Sequence, residues 1–339
     1  MSVDNDRFAQ EHQLPVLVVG KGSNCLFDDR GYQGLVIVNE LSFVEPFPIE
    51  KPNRRRMEKR EKDGGAETLK ASEDALSSGA EGHPSRQLQA RREEEEKLVL
   101  KVGSGYPFNT LGQLLSSAGW GGLEFATGIP GSVGGAIYMN AGANGMETVS
   151  SLVKVEYITR EGELRVLDPV KVAEFAYRKS PFQSMRDLLA IVSGTFELKS
   201  CSFARGRARE YMQKRNKSQP LKEKSAGCIF RNPVTAATFA SSSGSNTDEA
   251  DAAVRPMSED LSELSAGALI DRAGLKGASC GSAQVSPMHA NYLICTERTE
   301  QSSKDMKDLI TLVKERIKCE TGISLQEEIK IIPYEPIPY

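Results

Sequence analysis

Little in this chain points outward. Its 339 residues contain no apolar run near the roughly 18–20 residues that span a bilayer. The opening stretch, MSVDNDRFAQEHQLP, has no apolar signal-peptide core and no Arg/Ser-rich transit pattern, which argues against secretion of the chain as written. There are three histidines and six cysteines. Cys25, Cys201, Cys228, Cys280, Cys295 and Cys319 are scattered, with no C-x-x-C pair. That pattern reads as reduced thiols rather than a disulfide framework or a zinc site, and no metal is expected. Lys+Arg 43 against Asp+Glu 46 leave a net charge of -3. Overall charge therefore gives no reason to expect nucleic acid or anionic membrane as a partner. Hydrophobic residues make up 39%. With its 30 glycines counted in and its 9 tyrosines left out, that share rises only to the low edge of the roughly 45–50% of ordinary globular chains, and part of this one is expected to stay out of any core.

Two segments stand apart in composition. Residues 51–96 are almost free of large apolar side chains, and their charge comes in blocks, basic at Arg54, Arg55 and Arg56 and acidic at Glu93 to Glu96. Residues 236–260 are rich in Ser, Ala and Asp. Neither can bury enough surface to offset the entropy of ordering, so both read as disordered insertions at surface loops. A docking or nucleic-acid patch is the alternative for the first, and its mixed charge argues against that.

Elsewhere the periodicity is clear. Residues 14–19 (LPVLVV) form an apolar, β-branched run ending at glycine, the pattern of a buried strand. Residues 35–38, 98–102 and 329–332 are further strands, and 152–159 with 164–167 flank a hairpin turn. Helices are expected over 110–118, 207–217, 264–273 and 306–319, the last with Leu309, Ile310, Leu312, Val313 and Ile317 on one face. Strands and helices mix without regular βαβ alternation, so the class is α+β.

Several motifs could carry chemistry. GKGSN at 20–24 follows a strand directly, and its glycines let a ligand approach the backbone. It lacks the GxGxxG spacing, and a tight turn explains it equally well. GIPGSVGGAIYMNAGA at 128–143 holds five glycines with small neighbours. Glycine this dense costs stability, and suits a flat, pyrophosphate-bearing cofactor lying on the backbone. In SAGCIFRNP at 225–233, Cys228 is either a buried small hydrophobe or a proton donor or nucleophile. YRKSPF at 177–182 sets Arg178 between aromatics. GSAQVSPMHAN at 281–291 gathers Gln284, Ser286, His289 and Asn291, hydrogen-bonding groups that suit a polar substrate or a polar turn. Glu327 and Glu328 precede the final strand.

Taken in order, GKGSN, GLEFATGIPGSVGGAIYMNAGA, YRKSPF, QPLKEKSAGCIFRNP, AGALIDRAGLKG, GSAQVSPMHANYLI and EEIKII resemble the UDP-N-acetylenolpyruvoylglucosamine reductases, in their shorter, type II branch. The resemblance runs from about residue 14 to 332, broken by the two insertions. It implies an FAD-binding fold of the vanillyl-alcohol oxidase/PCMH type over residues 1–199 and an α+β substrate domain over 200–339. It implies FAD and NADPH as cofactors and UDP-N-acetylglucosamine enolpyruvate as a small-molecule substrate, reduced to UDP-N-acetylmuramate for peptidoglycan. A monomer is expected, in the cytoplasm or, for a nuclear-encoded form, in the plastid stroma.

The same resemblance implies roles residue by residue. Gly20, Lys21, Gly22, Ser23 and Asn24 would hold FAD together with Gly128, Ile129, Pro130, Gly131, Ser132, Gly134 and Gly135. Asn140, Ala141 and Gly142 would complete that pocket. Arg178 would pair with the substrate carboxylate, Cys228 would stand where the family has its proton-donating serine, and Glu328 would be the carboxylate before the last strand. Tyr177, Arg215, Gln219, Asn232, Gln284, Ser286 and His289 would surround the UDP-sugar. Family members carry about one more βαβ unit upstream, so a truncated FAD half is expected. The competing readings are a sugar or alcohol oxidase of the same superfamily and a truncated, inactive UDP-sugar-binding protein.

Overall fold

The computed structural model describes residue 9 and residues 11–46, 96–172, 174–233 and 265–335. Apart from Glu96, the two apolar-poor segments lie outside the described residues. The chain opens with strands β1 (Val16–Val19), β2 (Cys25–Phe27), β3 (Leu35–Val38) and β4 (Val44–Glu45). β5 (Lys97–Gly103), helix α1 (Phe108–Ser117), β6 (Trp120–Gly121) and the short helix α2 (Val133–Tyr138) follow. Then come β7 (Gly142–Ala143), β8 (Met146–Glu147), β9 (Leu152–Thr159), β10 (Leu164–Leu167) and β11 (Leu188–Ser200). The last part holds helix α3 (Ala204–Ser218), helix α4 (Ala266–Arg272), β12 (Ser279–Cys280), β13 (Ala283–Val285), β14 (Leu293–Cys295), helix α5 (Ser302–Thr321) and β15 (Lys330–Ile332).

Two hydrophobic cores organise these elements. The first lies on a sheet ordered β10-β9-β11-β5-β4, with β6 pairing beside the end of β11. Phe108, Leu111 and Leu115 of α1, Ile137 of α2 and Phe196 of β11 are fully buried there. Phe108 and Phe125 meet edge to face with centroids 5.9 Å apart, an arrangement that adds to their burial. Helix α3 follows residue 200 in sequence, yet its Tyr211 packs on this first core. The second core joins α4, α5 and the β12-β13-β14 sheet, with Ile229 and Phe230 at its centre. Leu26 of β2 packs on this second core, because β2 pairs in parallel with β15.

Sequence periodicity and structure part company at three places. Strand β1 has a single pairing partner among the described residues, β3, and only Val16 is buried. The rest of β1 lines a cavity, so its apolar run does not mark a strand covered on both faces. Helix α5 buries Met306, Leu309, Ile310, Val313 and Ile317, but Leu312 is 39% exposed because it falls off that stripe. The thirteen-residue β11 is absent from the expected strands. Ser193 and Gly194 interrupt its apolar pattern, and its pairing with β9 shifts register three times. The hairpin signal at 160–162 does correspond to antiparallel β9 and β10.

Candidate functional site

A cavity of about 600 Å³ runs between the two cores. One end is made of backbone. The loop after β1, Gly20 to Asn24, faces the loop from Ile129 to Gly135 that leads into α2. Ser23 Oγ donates to the Pro130 carbonyl at 3.0 Å, and Ser132 caps α2 by accepting from the Gly135 amide. The loops approach so closely that a Cβ on Gly20 would collide with the Ser132 hydroxyl. Ala141 and Gly142 also line this end. Side-chain-free backbone on facing loops is a cradle that fits a large, flat, anionic cofactor such as FAD.

The other end is made of side chains, and hydrogen-bond register brings them together. Parallel pairing sets Lys330 opposite Cys25. Asn24 Nδ2 donates to the Glu328 carbonyl at 3.1 Å, so the first glycine loop is stapled to the segment carrying Glu328. On the other side, the Glu328 amide donates to the Ile229 carbonyl at 2.6 Å, and Phe230 bridges Glu327. The same 228–231 segment then pairs with 291–292, where Cys228 bridges Tyr292. Glu328, Cys228 and Tyr292 are thus carried on three adjoining extended segments that open on one cavity.

Arg178 comes from the first core. It sits in a turn with φ 54°, a left-handed conformation unusual for a residue with a side chain. Its carbonyl accepts from Gln183 Nε2 at 3.1 Å, and Ala176 pairs with Lys179 across the turn. Arg178 Nε donates to Glu328 Oε1 at 2.6 Å, a largely buried ion pair between the two cores. Burial pushes the Glu328 carboxyl above the ordinary range, while Arg178 pulls it back. The Cys228 thiol is pushed up from 9.0 to about 11, first by burial and then by the charge of Glu328; Arg178 and Arg215 act the other way. It is a thiol, not a thiolate, at neutral pH.

The remaining sequence candidates divide. Arg215 and Gln219 line the cavity. The Arg215 Nε is buried with no partner among the described residues, and its chain lies where a Cβ on Gly128 would go. Gly128 is therefore a seat for Arg215 and is not itself on the cavity wall. Asn140 is fully buried away from the cavity: it donates to Glu147 and the Ala176 carbonyl and accepts from the Val149 amide. Tyr177, Asn232, Gln284, Ser286 and His289 do not line the cavity either. Tyr177 stacks on Arg178 and accepts from the Asn232 amide, and Asn232 in turn caps α4 through the Ala266 amide. Gln284 donates to the Gly277 carbonyl, and Ser286 holds the 286–289 turn. His289 packs edge to face on Tyr292, and burial first of all holds its pKa below the ordinary value. Tyr292, Asn39, Ser104, Arg160 and Arg186 line the cavity and were not among the candidates. Tyr292 directly follows the polar run at 281–291 without being part of it.

With this geometry in view, the likeness to known proteins is specific. Residues 219–332 match the model of the UDP-N-acetylenolpyruvoylglucosamine reductase C-terminal domain, and residues 85–168 match an FAD binding domain. The UDP-N-acetylenolpyruvoylglucosamine reductase of Protochlamydia amoebophila (strain UWE25) is 36% identical over 328 residues, 97% of this chain and 83% of that protein. The chain belongs to the UDP-N-acetylenolpyruvoylglucosamine reductase family. The Chlamydia abortus reductase is likewise 36% identical, over 97% of this chain and 83% of its own length. The crystal structure of UDP-N-acetylenolpyruvylglucosamine reductase from Thermus caldophilus matches with a TM-score of 0.60 at 25% identity, covering 97% of this chain and 89% of that one. Like other reductases of this family, the chain is an FAD-dependent oxidoreductase that uses NADPH, built on an FAD-binding fold followed by the reductase C-terminal domain. No helix among the described residues is long and apolar enough to cross a membrane.

Proposed function

We propose that the two ends of the cavity divide the family's reaction between them, with the glycine loops holding FAD and the side-chain end holding the substrate. The chain reduces UDP-N-acetylenolpyruvoylglucosamine to UDP-N-acetylmuramate, a step of peptidoglycan precursor synthesis. Bound FAD supplies the hydride chemistry, with NADPH as the reductant. The observation that carries the division is the Arg178–Glu328 ion pair beside Cys228, facing the bare loops across one cavity.

Each side chain then has a physical task. Glu328 occupies Arg178 Nε and so fixes the guanidinium plane, leaving the remaining N–H groups for a two-point grip on the substrate carboxylate. That grip matters most when negative charge spreads from C-2 into the carboxylate. Cys228 gives its proton to C-2: the S–H bond breaks, the C–H bond forms, and a thiolate is left. Burial keeps the proton on sulfur until then. Arg215 presents its charge to the same space and suits the anionic UDP portion, with Gln219 beside it. The bacterial relatives support a cytoplasmic place.

Cys228→Ala tests the reading by separating the half-reactions. Reduction of the flavin by NADPH is expected at near-parental rate. Reoxidation by the enolpyruvyl sugar is expected to slow by about 10²–10⁴-fold, the usual range for a lost general acid. Unslowed reoxidation in stopped flow would remove Cys228 from the chemistry and leave it a buried small hydrophobe.

A further inference from the structure

Tyr292 is a nearly buried phenol, 3% exposed, on the wall of the cavity beside Cys228. Nothing in the assignments above uses it. Its backbone is locked by the bridge to Cys228, by the Ser286 amide donating to its carbonyl at 2.8 Å, and by its own amide donating to the His289 carbonyl at 2.9 Å. Its ring is held edge to face by His289, centroids 4.9 Å apart. The phenol therefore has a fixed place, and only its O–H can turn.

That O–H has one partner and a second acceptor beside it. It donates to Gln219 Oε1 at 2.8 Å, and its bridge partner Cys228 lies next to it on the same cavity wall. A carbonyl oxygen is a better acceptor than a thiol, so the proton rests on Gln219 while Cys228 keeps its own. A thiolate is a better acceptor than an amide carbonyl. Once Cys228 has given up its proton, the phenol proton gains by turning from Gln219 to sulfur.

We propose that Tyr292 is a positioning residue for the proton donor, a hydrogen bond parked on Gln219 that swings to Cys228 as the thiolate forms. The inference rests on the reading of Cys228 as the acid. Its balance is simple: the Cys228 proton goes to substrate C-2, and the Tyr292 proton stays on oxygen and is only shared with sulfur. The tyrosine keeps it because burial and the neighbouring thiol hold its own pKa well above the ordinary phenol range. The other charged groups facing Cys228 are Glu328, which opposes a thiolate, and Arg178 and Arg215, which favour it. Tyr292 is the neutral donor in that set, and the bridge holds it in register with the acid.

Tyr292→Phe in the FAD-loaded enzyme tests this, because phenylalanine keeps the ring and its contact with His289. Stopped flow should show flavin reduction by NADPH unchanged and reoxidation by substrate slowed about 10–100-fold, the range for a lost hydrogen bond to a charged group. The pH at which the Cys228 thiolate appears, read by alkylation and mass spectrometry, should move upward. In the Cys228→Ala background, Tyr292→Phe should slow reoxidation no further, since no thiolate forms there. An undiminished effect in that background, or equal slowing of both half-reactions, would make Tyr292 merely structural and overturn the proposal. Unslowed reoxidation in Tyr292→Phe, with Cys228→Ala slow, would sink the proposal and leave the acid assignment standing. Unslowed reoxidation in Cys228→Ala itself would sink both.

Discussion

The two ends of the cavity are built on opposite principles. The loops at 20–24 and 129–135 offer backbone, and their value lies in side chains that are missing: a Cβ at Gly20 has nowhere to go. The far end offers Arg178, Cys228, Glu328 and Arg215, and its value lies in the groups that are present. An end made of backbone should be damaged by added atoms and an end made of side chains by removed or reshaped ones. The contrast also separates affinity from chemistry, since the proposed cofactor end binds and the proposed substrate end reacts.

After the loss of the Cys228 acid, the largest loss of turnover should come from reshaping a side chain at constant charge. Arg178→Lys replaces a planar fork by a point charge and leaves Glu328 without its 2.6 Å partner. Turnover with the enolpyruvyl substrate should fall by about 10–100-fold, corresponding to roughly 1.5–3 kcal/mol for a charged hydrogen bond. Turnover within a factor of two of the parent would take Arg178 out of the site and blur the contrast. Next is the smallest addition at the other end. Gly20→Ala should weaken FAD by about 5–150-fold, the equivalent of about 1–3 kcal/mol of overpacking. Flavin fluorescence titration measures it, and parental affinity would mean that the loops part easily.

Asn140→Ala sharpens the boundary of the cofactor end. Asn140 is buried among Glu147, Val149 and Ala176, away from the cavity wall. Its loss should cost about 1–3 kcal/mol in unfolding free energy by leaving buried partners unpaired. FAD affinity of the folded variant should stay near the parent, and a matching loss of affinity would return Asn140 to the pocket. The smallest effect concerns pH. The folded Cys228 pKa lies above its unfolded value, so its share of stability is complete below pH 9.0 and is lost as pH rises toward and through about 11. The reoxidation rate should accordingly vary less than about twofold between pH 7 and 9.5. A fall through the ordinary cysteine range, near about 8.5, would show that the thiol is less shielded than its surroundings imply.

Much of this was legible in the sequence because glycine and order along the chain are themselves signals. The glycine loops, Arg178, Cys228 and Glu328 stand in recognisable motifs, and the structure sets all of them around one cavity. Gln284, Ser286 and His289 also stand in a motif, but their hydrogen bonds are spent on the local turn and strand. A polar run looks the same whether it faces a ligand or its own backbone. Tyr292 escaped for the opposite reason: what it faces depends on its bridge to Cys228, a pairing across a long stretch of chain that one-dimensional spacing does not carry. Leu312 shows the same limit on a smaller scale, an apolar residue one step outside the stripe that the core covers.

The parallel pairing of β2 with β15 has a consequence for how the molecule comes apart. It places the strand after the first glycine loop in the cooperative unit of the second core, far from it in sequence. Amides of Cys25 to Phe27 should therefore exchange with deuterium in step with α5 and β15 rather than with β5 or β11. Partial opening of the second core would pull one jaw away from the proposed flavin end before the first core loosens. A rise in flavin fluorescence on heating should then precede the main melt, reporting the detachment of a strand rather than the collapse of the fold.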